Sequence, residues 1–93
     1  MENKVVPEDI LKDTVFSKVE VHPDESRRHI RSYNLRKALK LGNLYKRKVT
    51  IHYRTLKGVV YKLETSVWAV GEQFISLKKG NTIPIHAIDH VEF

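Results

Sequence analysis

Residues 48–93, KVTIHYRTLKGVVYKLETSVWAVGEQFISLKKGNTIPIHAIDHVEF, decide the fold. Val49, Ile51 and Tyr53 alternate with Thr50, His52 and Arg54, the period of two expected of a strand with one buried face. Val59, Tyr61, Leu63 and Val67 carry the alternation on, as do Ile75 with Leu77 and Ile83 with Ile85. Gly58, Gly71 and Gly80 fall between these runs, where the chain has to reverse. Thr65-Ser66 reads as a bend ahead of Trp68. Four or five strands in so short a stretch cannot bury an apolar face as a flat sheet, so they must curl or lean on a helix. The expectation is a mainly β fold with one N-terminal helix, the strands forming a small, partly open five-stranded barrel.

Upstream, Asp24 to Gly42 is helical in composition, with Asp24 as N-cap, Glu25 in the first turn and Gly42 as the stop. Leu35, Ala38, Leu39 and Leu41 form an apolar face with Arg36, Lys37 and Lys40 on the other side. Arg27 to Arg31 does not share that face, so the helix either starts at Asp24 or begins near Asn34 behind a basic arm. Thr14 to His22 places Val15, Val19 and Val21 on one side and reads as a strand, with an ordered arm as the alternative. Pro7-Glu8-Asp9-Ile10-Leu11 suits one helical turn. The organisation expected is one folded domain: an acidic segment over 1–25 with a strand at 14–22, a basic arm and helix over 26–46, and the barrel over 47–93.

Charge is sharply segregated. Residues 26–63 carry twelve lysines and arginines and no carboxylate, although the chain holds 11 acidic residues in all and a net charge of +6. Residues 1–25 are acidic by contrast, with seven carboxylates against three lysines. Such a distribution calls for a polyanion, an acidic protein surface, or the chain's own acidic segment, folded back or exchanged in a dimer. The absence of cysteine excludes disulfides, thiolate catalysis and cysteine-based zinc sites. No apolar run approaches the roughly 20 residues of a membrane span, and the acidic, proline-broken start is unlike a signal peptide. A cytoplasmic protein without a membrane partner is expected.

A short helix followed by five strands, the last two joined by a tight turn, is the order of the Sm-like small barrels. Gln73-Phe74-Ile75-Ser76-Leu77-Lys78, followed by Pro84-Ile85-His86-Ala87-Ile88-Asp89-His90-Val91, resembles the end of the Hfq family of bacterial Sm-like RNA chaperones. A phenylalanine strand there precedes a histidine-alanine-isoleucine signature and a final strand. Val49-Thr50-Ile51 resembles that family's first strand, whereas Ile85 stands where the family has lysine. Ile51-x-Tyr53-Arg54-x-x-x-Gly58 carries a weaker likeness to WYL-type regulatory domains, also small barrels. The resemblance implies RNA binding and ring-like self-association, with His86 as a residue that lines a nucleotide pocket.

The basic stretch interleaved with Tyr33, Tyr45, Tyr53 and Tyr61 has the residue types that single-stranded nucleic acid needs, cations for phosphates and flat rings for bases. Tyr53 and Tyr61 lie in phase with apolar strand residues and are expected in the core. The phosphate-contacting candidates are Arg27, Arg28, Arg31, Arg36, Lys37, Lys40, Lys46, Arg47 and Lys48. Trp68 reads as core or an oligomer anchor, with ligand stacking as its functional alternative. His86 and His90 have metal-like i,i+4 spacing, but Pro84 and the strand-like alternation argue against a helix there, and only a suitable closure would bring His52 in. No metal, cofactor or catalytic constellation is expected. The function anticipated is non-enzymatic binding of nucleic acid, most readily RNA, through residues 27–48. The rivals are a protein-interaction module docking an acidic partner near Trp68 or Phe93, and a self-associating domain that pairs its own acidic and basic segments.

Overall fold

The computed structural model is described over residues 5–93; the first four residues of the acidic segment lie outside the described residues. Among the described residues, six strands form two three-stranded antiparallel sheets. Strand β1 (Val49–Arg54) lies between β2 (Val60–Thr65) and β6 (Ile88–Glu92). The second sheet orders β3 (Val67–Val70), β4 (Phe74–Leu77) and β5 (Thr82–Pro84). The expected five strands become six because Ser66 alone separates β2 from β3 and passes the chain from one sheet to the other. A 3₁₀ turn, Ile85–Ala87, makes the second transfer, from β5 to β6. The two sheets are not closed into a barrel.

Register follows the period-two pattern. Val49, Ile51 and Tyr53 oppose Thr65, Leu63 and Tyr61 and point inward, while His52 opposes Lys62 on the outer face. The second sheet contributes Val67, Ile75, Leu77 and Ile83, and the last strand contributes Ile88 and Val91. Gly58 and Gly80 have positive φ at the β1–β2 and β4–β5 reversals, a conformation from which a Cβ is sterically disfavoured.

Helix α1 covers Glu25–Tyr45, and Asp24 caps it by accepting from the Ser26 amide at 3.0 Å. The start at Asp24 is therefore realised and the late start near Asn34 is not. Arg31, Leu35, Ala38 and Gly42 recur at helical spacing and form the buried stripe, so an arginine occupies a core-facing position. Gly42 does not end the helix. A Cβ there would stand 2.7 Å from the Val67 carbonyl oxygen, so the glycine serves close approach of α1 to β3. Termination comes four residues later, where Lys46 adopts the left-handed conformation and its amide and that of Arg47 return to the Gly42 and Leu41 carbonyls.

The expected strand at 14–22 is absent. That segment is an ordered arm touching the sheet at one bridge, Phe16 to Thr55, with amide bonds from Ser17 to the Arg54 carbonyl and from Val21 to the His86 carbonyl. The physical reason lies in β1, whose two edges are held by β2 and β6 from Thr50 to Tyr53, so the arm can bond only past that point, at Arg54 to Leu56. Alternating valines without a free ladder leave Val15 and Val19 exposed. The turn foreseen near Pro7 forms as a 3₁₀ segment, Glu8–Asp13, and drives Leu11 into the core.

Candidate nucleic-acid interface

The outer face of α1 is the inverse of its buried stripe. Tyr33, Lys37, Lys40 and Leu44 repeat at the same helical spacing two residues out of phase, which places them on the far side, with Arg36 alongside. All five are exposed, Tyr33 at 71%. Lys46, Arg47 and Lys48 continue the basic run past the helix end and are exposed as well. Tyr45 is exposed at the junction, and the Lys37 ammonium stands 4.5 Å from the centre of the Phe93 ring. Among the described residues, none of Arg27, Arg28, Arg36, Lys37, Lys40, Lys46, Arg47 and Lys48 is within ion-pair distance of a carboxylate. Apart from Arg28, which is half-buried, all of them are exposed, and their field is directed at solvent.

Arg31 is a correction to the phosphate-contacting set. It is 5% exposed, and its guanidinium makes two 2.7 Å hydrogen bonds to the Glu20 carboxylate and donates to the Ile88 carbonyl at 3.1 Å. Burial alone would raise the Glu20 carboxyl, but the hydrogen bonds from Arg31 and the His22 amide, with the nearby positive charge, hold it below its ordinary 4.5. This pair is where the acidic segment meets the basic one within the chain. Arg28 is half-buried and directed inward too, donating to the His22 and Pro23 carbonyls. The phase was legible: Arg31 stands four residues before Leu35 and seven before Ala38, on the apolar stripe.

Between α1 and the second sheet runs an open cleft of about 780 Å³, with Arg28, Arg31 and Arg36 on the helix side and Gln73, Phe74 and His86 on the sheet side. Phe74 presents an exposed ring. His86 is held by its Nε2 contact with the Ser17 carbonyl at 2.6 Å, so the arm orients this side chain at the cleft wall. Trp68 is not in the core. It is 54% exposed at a register shift in β3, over a smaller recess lined by Gly42, Asn43, Lys46, Ser66 and Lys78. Val67 points inward and is fully buried, so strand alternation turns its neighbour Trp68 to the opposite, solvent-facing side. Tyr53 is buried and Tyr61 half-buried in the core, which leaves Tyr33 and Tyr45 as the available tyrosines.

No helix among the described residues is long and apolar enough to cross a membrane. No protein-family model, curated protein or solved structure matches the chain.

Proposed function

We propose that this chain is a non-enzymatic, cytoplasmic binding domain for single-stranded nucleic acid, RNA in particular, built as a partly open, Sm-like small barrel that carries a basic helix. The observation that supports it is the row of exposed cations along α1 and its C-terminal extension, without carboxylate partners among the described residues and interleaved with exposed Tyr33 and Tyr45. Arg27, Arg36, Lys37, Lys40, Lys46, Arg47 and Lys48 take phosphates, and exposed rings provide stacking platforms for bases. Phe74 at the cleft mouth offers a further ring, with Gln73 and His86 as polar neighbours. Counting Val60–Val70 as one strand bent at Ser66 gives a helix followed by five strands, the order expected of the Sm-like class.

Fluorescence anisotropy with labelled U-rich and scrambled single strands across a salt series tests this reading. Each phosphate neutralised contributes a slope of about −0.7 in log K against log salt, so four to seven contacts give roughly −3 to −5. Arg36→Gln combined with Lys40→Gln should reduce the magnitude of that slope by about 1.4. Failure of both strands to bind at low salt overturns the proposal.

Exposed Ile30 and Leu44 on the same helix favour a second reading, an acidic protein partner docked on α1. Binding of that kind persists at high salt, because burial of Ile30 and Leu44 is not screened.

A further inference from the structure

The outer face of the first sheet gathers three side chains that do not adjoin in sequence. His52 and His90 are directly opposed across β1 and β6, their rings stacked with centroids 3.9 Å apart. Glu92 lies two residues along β6 from His90 and therefore on the same face, and its carboxylate bonds the His52 Nε2 at 2.7 Å. The metal-ligating atoms of the three lie within 4.8 Å of one another. From these placements we propose that His52, His90 and Glu92 form a binding site for one borderline divalent transition-metal ion of the Zn²⁺ type, independent of the nucleic-acid reading.

Two imidazoles and one carboxylate are the donor set that such ions prefer over Mg²⁺ or Ca²⁺, which select oxygen. Ligands about 2.0–2.2 Å from a tetrahedral ion stand roughly 3.3 Å apart, so the 2.7 Å contact of Glu92 with the His52 Nε2 has to open slightly while separations of up to 4.8 Å close. The required movement falls on the exposed members. His52 is buried and fixed by strands on both sides, whereas His90 and Glu92 are exposed and free to change rotamer. The His90 Nδ1 faces the Asp89 carboxylate at 3.5 Å, the outer-shell arrangement that orients a ligating imidazole and leaves Nε2 for the ion. Water completes the coordination, since only three protein ligands converge.

Two features limit affinity. Lys62 opposes His52 on β2 and brings a positive charge to the flank of the site. The His52 Nδ1 is buried without a hydrogen-bond partner, so its N–H would go unsatisfied when Nε2 holds the ion. An ion bound here would tie the central strand to the last one, so occupancy has to appear as thermal stabilisation of the domain.

Chelator-treated, untagged protein titrated with Co²⁺ and Zn²⁺ tests the site, read by the visible Co²⁺ absorption, by calorimetry and by Tm. The expected result is one equivalent bound with an accompanying rise in Tm. His90→Ala and Glu92→Gln should each weaken binding by at least about tenfold, while His29→Ala, an exposed helix position, leaves it unchanged. Both informative variants alter exposed side chains, so retention of the apo circular dichroism spectrum separates lost ligation from lost folding. Lys62→Gln should tighten binding by removing the opposing charge. Absence of stoichiometric binding at sub-millimolar metal overturns the proposal, as does binding that both His90→Ala and Glu92→Gln leave intact.

Discussion

Gly42→Ala is the substitution whose sign depends most directly on the packing of α1. In an isolated or solvent-facing helix, replacing glycine by alanine is favourable by about 1 kcal/mol. Here the new methyl carbon would begin 2.7 Å from the Val67 carbonyl oxygen, well inside ordinary van der Waals contact, and that oxygen belongs to backbone. It cannot rotate away. Val67 is fully buried, stands one residue from the passage between the two sheets, and is paired with Leu77. Relief therefore requires α1 to lift from β3 by several tenths of an ångström. Forcing extra volume into a packed interface typically costs 1–3 kcal/mol. Against the propensity gain this leaves a net loss of about 1 kcal/mol, equivalent to roughly 4–8 °C in Tm for a domain of this size. Gly42→Val adds bulk and loses propensity, so it falls further. Asn43→Ala, the next helical residue and an exposed one, supplies the control and should raise Tm by about 2–5 °C, the propensity gain of about 0.5–0.7 kcal/mol unopposed by packing. Urea melts should show a lower midpoint for Gly42→Ala at unchanged m. A rise in stability by the full propensity increment would refute the close approach of α1 to β3.

Other substitutions separate structure from binding. Arg31→Met should destabilise the domain by about 2 kcal/mol, less than for a fully buried pair because water reaches the Glu20 side chain; Arg36→Met should be neutral within about 0.5 kcal/mol in the same melt and weaken nucleic-acid binding instead. Equal stability effects for the two would contradict the division of the basic set. The Glu20 carboxyl is depressed in the folded state, so its contribution is complete above its ordinary 4.5 and is lost as pH falls through the lower folded value. Stability measured against pH should decline in that acidic window and flatten there in Glu20→Gln; an unchanged profile would remove the pair from the account. Leu11→Ala should cost about 2–3 kcal/mol if the 3₁₀ segment is part of the core, and a chemical melt indistinguishable from wild type would show it is not. Trp68 is the sole tryptophan, so native fluorescence should be red-shifted and readily quenched by acrylamide, whereas blue-shifted, protected emission would place the ring inside.

Much of the secondary structure was legible because it rests on local periodicity. The strands around Ile51, Leu63, Ile75 and Ile83 fall where apolar residues alternate, and Asp24 begins the helix where a short acceptor precedes a helical run. The arm at 14–22 alternates as well as any strand, yet it pairs at one bridge because β2 and β6 occupy both edges of β1 as far as Tyr53. Alternation describes a residue's two faces; it does not supply a partner for its amides. The basic stretch was visible as composition, whereas the inward turn of Arg31 follows from its phase on α1 and from an acid eleven residues upstream.

By itself, then, the sequence determined where backbone segments become helix or strand, and that a long acid-free basic run needs an anion or an acidic surface. These are properties of neighbours along the chain, set by side-chain spacing, capping and charge count. Only the tertiary structure decided which charges remain available, that Gly42 serves contact instead of termination, that Trp68 faces water, and that His90 meets His52 and Glu92 while His86 turns to the arm. Those outcomes depend on which strand edge or helix face arrives opposite which. Strand order and register bring residues tens of positions apart within a few ångströms, and no local spacing encodes that meeting.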